Sequence, residues 1–222
     1  MIYIVILISL FLLYTIFPTV LIRSFEWGIM KKLNGAGMAL TFDDGPNPEY
    51  TGQLLDLLKK YNVKATFFVV GSKVKKYPDV IKRIHHEGHT IGIHHYHHVS
   101  SWVLSPFQLK KQLKLTEMVI QECTNEKVTF YRPPWGHFNL FTLLLSKKYQ
   151  IVMWSAIFGD WKVQTSLLEK LRETTEPSSI LLLHDCGETW GADREAPKYM
   201  LEDLEVFLRE NQGTKFMTLK DL

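Results

Sequence analysis

Five short groups of polar residues carry the chemistry open to this chain. The first is Thr41–Gly45, TFDDG, with adjacent carboxylates Asp43 and Asp44. Two carboxylates at one point of a closed site repel each other unless a cation joins them. One can ligate a metal while the other stays beside water, although Asp-Asp-Gly-Pro is equally good turn chemistry. The second is His94–His98, HHYHH, within a stretch from His85 to His98 that holds seven of the nine histidines. His94 and His98 are four apart, so one helical turn would set both imidazoles on one face. Two imidazoles and one carboxylate make a zinc-hydrolase set with a position left for water. Spacing alone leaves open which two bind, with His85, His86, His89, His95 and His97 as neighbours or surface residues.

The third group, Tyr131–Gly136 (YRPPWG), has paired prolines that stiffen a loop and hold Arg132. A fixed guanidinium beside Asp43 would keep that carboxylate ionised. The fourth, Asp160-Trp161, offers a carboxylate and an aromatic wall. The fifth, Leu182-Leu183-His184, ends an apolar run on a histidine that, taken alone, reads as structural.

The elements that must position these groups alternate. Short apolar runs predict strands over Met38–Phe42, Ala65–Val70, Thr90–Ile93, Val128–Tyr131, Ile151–Trp154, Ile180–Leu183 and Lys215–Thr218. Amphipathic patterns predict helices over Thr51–Tyr61, Pro78–Glu87, Pro106–Glu122, Asn139–Lys148, Ser166–Glu173 and Glu195–Glu210. Pro78 and Pro106 suit first-turn positions, Asn139 and Thr165 suit caps, and Gly88 suits the residue past a helix end. Seven strands alternating with helices imply an α/β fold with a parallel sheet, as an open sheet or a slightly short (β/α) barrel. Each polar group follows a strand directly or within a few residues, so all five gather at one rim, where such barrels place their chemistry.

Composition narrows the partners. The chain has 222 residues with a net charge of +3 and no Lys/Arg block, which argues against a nucleic-acid partner. Two cysteines, Cys123 and Cys186, make neither a disulfide scaffold nor a Cys-based zinc site. Residues 1–22 carry no charged side chain. As a helix, residues 2–22 would span about 31 Å, which matches a bilayer core. With no Lys or Arg before the apolar run and no Ala before Ala36, the segment reads as an uncleaved membrane anchor, kinked near its end by Pro18. Residues 23–36 read as a juxtamembrane linker and 37–222 as the catalytic domain. Arg23, Lys31 and Lys32 argue by charge for a cytoplasmic domain. The extracellular side is the alternative, favoured by the substrate that the family resemblance given next implies.

These five groups, in this order, resemble the ordered motifs of the polysaccharide deacetylase (NodB-homology) family, carbohydrate esterase family four. The resemblance covers residues 37 to 220. It implies a distorted (β/α) barrel of about seven parallel strands and one divalent metal, zinc before cobalt or another ion. It assigns Asp44, His94 and His98 to the metal, Asp43 as general base and His184 as general acid. Arg132 is then the partner of the base and Asp160 of the acid. The Trp135 amide faces the oxyanion, while Trp161 and Leu182 wall the acetyl pocket. The family usually has Ser or Thr where His95 stands, Pro where Val99 stands and an acidic residue near Ile157. The implied activity is removal of N-acetyl groups from an amino-sugar polymer, peptidoglycan or a chitin-like glycan. The alternatives are deacylation of a lipid-linked sugar, acetyl-xylan esterase activity, or a membrane-anchored glycan-binding protein with an inactive metal site.

Overall fold

A computed structural model describes residues 1–174 and 176–221. Eight strands form one parallel sheet: β1 (Ile29–Met30), β2 (Ala39–Asp43), β3 (Thr66–Val69), β4 (Thr90–Ile93), β5 (Phe130–Tyr131), β6 (Gln150–Val152), β7 (Ala156–Ile157) and β8 (Ile180–His184). Their spatial order is β1-β6-β5-β4-β3-β2-β8-β7, so the sheet curls into a barrel left open between β1 and β7. Nine helices are described: α1 (Ile2–Tyr14), α2 (Ile16–Phe25), α3 (Tyr50–Lys60), α4 (Gly71–Lys76), α5 (Pro78–His86), α6 (Pro106–Thr124), α7 (Thr142–Leu145), α8 (Leu167–Thr174) and α9 (Ala196–Glu210).

Pleat alternation divides the strand residues between two apolar layers. Phe42 and Phe67 stack at 5.4 Å in the larger layer, with Leu54, Leu58, Ile81, Leu113 and Phe207. Phe68, Phe130, Val152, Ile180 and Leu219 form the second. Helix α6 has clear local causes. Ser105 and Gln108 form a capping box, Pro106 opens the first turn, and Asn125 closes the helix at φ 56°.

Register explains the shared rim. Asp43 pairs with His184, Val69 with Ile93, Ile93 with Tyr131, and Tyr131 with Ile151. The strands therefore end level with one another, and the residues that follow them emerge side by side.

Four expectations from sequence need correction. The 23–36 stretch contributes β1, which pairs with β6, and buries Leu33. Lys215–Thr218 is no strand; only Phe216 bridges to Met38. Helix α7 starts at Thr142 rather than Asn139, whose Oδ1 accepts from the Phe141 amide instead. The apolar helix breaks at Thr15, not near its end. Proline at position 18 cannot donate to the Tyr14 carbonyl, and the Leu140 amide takes that carbonyl at 3.0 Å.

Beyond the break the chain no longer resembles a free-standing span. Pro18, Thr19 and Ile22 are buried against the barrel, whereas no residue of α1 is buried. Thr19 Oγ1 accepts from Trp102 Nε1 at 2.9 Å and from the Phe138 amide at 3.0 Å. Helix α2 is thus a packed part of the barrel domain.

Candidate active site

The rim opens into a cleft of about 460 Å³ that includes Asp43, Asp44, His94, His98, Trp135, Trp161, Leu182 and His184. A hollow of about 610 Å³ at the other end of the strands, between Thr90, Val128 and Leu219, brings none of the five groups together.

Asp44 follows β2 in a left-handed conformation (φ 79°). Its Oδ1 lies 3.4 Å from His94 Nε2 and 3.0 Å from His98 Nε2. One ligand atom from each residue falls within 4.8 Å of the others. His94 Nδ1 donates to the Arg132 carbonyl at 2.8 Å, which leaves Nε2 with a lone pair facing Asp44. Burial lowers the His98 imidazole despite the Asp44 carboxylate, which favours the neutral, ligating form. Burial also acts on Asp44, in the opposite sense. The His94 and His98 imidazoles beside it override burial and hold the carboxyl well below the usual range. Asp44 Oδ1 is buried without a hydrogen-bond donor of its own. An anionic oxygen beside two imidazole nitrogens fits a divalent cation, and N/O donors of this kind suit zinc.

Asp43 is held differently. Arg132, fully buried, donates from Nη1 to Asp43 Oδ1 at 2.7 Å and to Thr41 Oγ1 at 2.9 Å. Its Nε and Nη2 are tied to the Val152 and Met153 carbonyls. The guanidinium also faces the Phe68 ring at 4.1 Å. Asp43 Oδ2 is left toward the ligands, 3.8 Å from His94 Nε2.

At the neighbouring strand end, His184 Nδ1 meets Asp160 Oδ1 at 3.0 Å, and the His184 amide donates to Asp160 Oδ2 at 2.6 Å. Burial opposes the imidazolium, but the Asp160 charge and hydrogen bond prevail, with Asp44 and Asp43 adding to them, and the pKa rises to about 9. A cation on Asp44 would cancel part of the last contribution. A reaction that needs this proton therefore holds at neutral pH and fails as pH rises through a value below about 9. Asp160→Asn should move this alkaline limb down by at least about one unit. A limb that stays in place would remove Asp160 from the account.

Trp161 packs edge-on against the His184 ring at 5.3 Å, and Trp135 against that of His98 at 4.3 Å. Trp135 is left-handed (φ 56°), and Gly136 beside it is too (φ 63°), where a Cβ would lie 2.6 Å from Met153. Leu182 is buried on the same cleft wall.

The chain belongs to the polysaccharide deacetylase family. The family model for polysaccharide deacetylase matches residues 31–154. A peptidoglycan-N-acetylglucosamine deacetylase of Bacillus cereus is 32% identical over 205 residues, 90% of this chain and 73% of the relative. The peptidoglycan-N-acetylmuramic acid deacetylase PdaA of Bacillus subtilis is 35% identical over 191 residues, covering 82% and 70%. Among solved structures, the peptidoglycan N-acetylglucosamine deacetylase Bc1960 superposes with a TM-score of 0.79 at 31% identity, over 90% of this chain and 94% of that one. The protein is accordingly a hydrolase that acts on amide bonds.

His95 departs from the polysaccharide deacetylase pattern, and its surroundings explain how the loop tolerates it. It is fully buried, with Nδ1 donating to the Val99 carbonyl at 2.6 Å and Nε2 accepting from Tyr131 Oη at 2.7 Å. Burial drives its pKa down to about 3, so it stays neutral and keeps both bonds. The left-handed His95 and His98 are held by further ties, from the Gly71 amide to the His95 carbonyl and from the Tyr96 and His97 amides to Gln112. His95→Ala should weaken cation binding about 10–100-fold, as loss of a ligand-orienting contact does. Competition against a chelating indicator reads this directly, and an unchanged affinity would show that the contacts do not orient the ligands.

Arg23 and His137 line the cleft with no signal in the sequence, and Trp190 enters it together with Thr189, Gly191 and Ala192. Trp190 lies in the 187–194 loop, whose Gly and Asp content marks it as a loop without showing where it folds. Asp185, beside His184 at the same strand end, carries no role in the sequence reading. It is buried, accepts from Thr51 Oγ1 at 2.5 Å and fills the space where a Cβ on Gly45 would stand. It thereby fixes the turn that follows the carboxylate pair.

Proposed function

We propose that this chain removes N-acetyl groups from peptidoglycan, with a divalent cation, zinc in the first place, held by Asp44, His94 and His98. The observation that carries the reading is the meeting, in one cleft, of that ligand set with the Asp43–Arg132 and Asp160–His184 pairs. The Bacillus relatives named for peptidoglycan deacetylation support an amide on a wall glycan over an acetyl ester on xylan or a lipid-linked sugar.

When bound, the cation supplies Lewis acidity that acidifies water and polarises the acetyl carbonyl. Asp43 takes the proton of the attacking water on Oδ2, because Arg132 occupies Oδ1 and fixes the carboxylate plane. The Trp135 amide, turned by its left-handed backbone, donates to the developing oxyanion. His184, charged through its contact with Asp160, protonates the departing nitrogen so that the amine leaves rather than the water. Trp161 and Leu182 enclose the acetyl methyl.

The exposed apolar face of α1 supports a membrane anchor within residues 1–22. A wall substrate places the domain on the outer side. In the fold, Lys31 lies 3.2 Å from Glu26 and Lys32 lies 4.0 Å from Glu176, so these two cations are paired with carboxylates.

The test is mass spectrometry of muropeptides released from peptidoglycan treated with the full-length, zinc-loaded protein in non-ionic detergent. Loss of acetyl groups from glucosamine or muramic acid residues is expected, and it names the sugar. Fully acetylated fragments after exhaustive treatment would overturn the reading.

A further inference from the structure

The cleft contains a cation that none of the reaction steps uses. Arg23 sits in the last turn of α2 and lines the same cleft as Asp43, Asp44, His94, His98 and His184. It is half-buried, and its guanidinium lies over the Trp154 ring at 5.5 Å, near the face that also meets Arg132 at 5.8 Å. Among the described residues no carboxylate pairs with it and its guanidinium makes no hydrogen bond; only its carbonyl is engaged, by Lys31 Nζ. The cleft also feels this charge, since Arg23 adds to burial in holding His137 down to about 4.

A guanidinium has five donors in a planar fork and is shaped for a carboxylate. Drawn half out of water and stacked on an aromatic ring, it is pre-oriented, so little side-chain freedom is lost when an anion arrives. The α2 helix is fixed to the barrel through Thr19, Trp102 and Phe138, which holds the backbone that presents Arg23 at the cleft. The same cleft is lined by Trp135, Trp161 and Trp190, flat surfaces suited to the apolar faces of sugar rings.

We propose that Arg23, carried into the active site by the membrane-proximal helix, binds a carboxylate of the glycan substrate and selects anionic over neutral acetylated glycans. This rests on the deacetylase reading and names its substrate class. Peptidoglycan offers two sources of that carboxylate. One is the lactyl ether on the muramic acid ring, free where the stem peptide has been removed. The other is the peptide itself. The short reach of a half-buried side chain favours the first, because a ring-borne carboxylate stays close to the sugar in the cleft.

The experiment uses the full-length, zinc-loaded protein in non-ionic detergent, beside Arg23→Gln and Arg23→Lys. The ligands are peptide-free strands of N-acetylglucosamine and N-acetylmuramic acid, the same strands with carboxylates methyl-esterified, strands with stem peptides intact, and neutral chitin oligomers. Calorimetric Kd and acetate-release kinetics are both measured. For Arg23→Gln, Kd and KM on the peptide-free strands should rise about tenfold, about 1.4 kcal/mol, with kcat within about twofold. Esterified strands and chitin oligomers should bind both proteins alike, and Arg23→Lys should recover part of the loss. A rise seen only with stem peptides intact would overturn the ring-borne assignment. Equal losses on charged and neutral strands would mean that Arg23 only supports the fold. A variant that loses affinity for anionic vesicles while its glycan Kd is unchanged would assign Arg23 to lipid headgroups instead. Charge-dependent binding without acetate release would leave this proposal standing and bring down the deacetylase reading.

Discussion

Asp43→Asn should lower kcat/KM for deacetylation by about 10²–10⁴-fold, the usual contribution of a positioned general base. The substitution keeps the shape of the side chain, and its amide oxygen can still accept from Arg132 Nη1, which now sits 2.7 Å from Oδ1. The basic Oδ2 is replaced by an NH₂ group that cannot take a proton. Cation binding should persist, because Asp44, His94 and His98 are untouched. Steady-state acetate release, read beside cation stoichiometry and a thermal melt, separates these effects. Turnover within about tenfold of the parent, a barrier change under about 1.4 kcal/mol, would remove Asp43 from the role of base.

Arg132→Leu should destabilise the fold by about 3–5 kcal/mol, the cost of leaving a buried charge without its partner. No part of the Arg132 side chain is exposed, and it satisfies Thr41, Asp43 and two backbone carbonyls at once. Leucine fills part of the space over Phe68 but gives Asp43 and those carbonyls nothing. Set against a typical total stability of about 5–15 kcal/mol, the loss should be plain in a thermal or urea midpoint. In the Asp43→Asn background the same substitution should cost less, because the stranded carboxylate is already gone. A loss under about 1 kcal/mol, or strict additivity, would show that the pair is not coupled as described.

Much of this site was legible before any coordinates. Asp43, Asp44, His94, His98, Arg132 and His184 emerge at one strand rim, because their motifs follow apolar runs long enough to be recognised as β2, β4, β5 or β8, and Asp160 joins them just after β7. Strands β1 and β7 left no such trace. Each has two residues and, unlike the two-residue β5, no longer apolar run around it that reads as a strand by itself; each pairs with a single neighbouring strand. Lys215–Thr218 shows the converse: its residues favour a strand, yet the chain turns into a 3₁₀ segment at Leu219 after a single bridge.

Helix α2 was hidden for a different reason. Its residues are apolar enough for lipid, and a barrel groove satisfies them as well, so composition alone could not separate the two. Thr19 is the residue that decides, since its hydroxyl joins Trp102 and Phe138, 83 and 119 positions away in sequence. Arg23 follows from that docking, and in sequence it is only the first charge after an apolar run. His95 reads in sequence as a flaw in a metal loop. Only the contacts to Val99 and Tyr131 make it a support.

The central claim is that the Asp44–His94–His98 set, working with Asp43 and His184, hydrolyses the acetamide of a wall glycan. The most direct test strips the full-length protein with a chelator and follows acetate release from purified peptidoglycan as zinc is returned. A truncation from residue 35 would remove α2 and β1 and is unsuitable. The account predicts no release from the stripped protein, restoration at one zinc per chain, and none at any zinc level for Asp43→Asn. Release that ignores the chelator, or that survives Asp43→Asn at the parent rate, would contradict it.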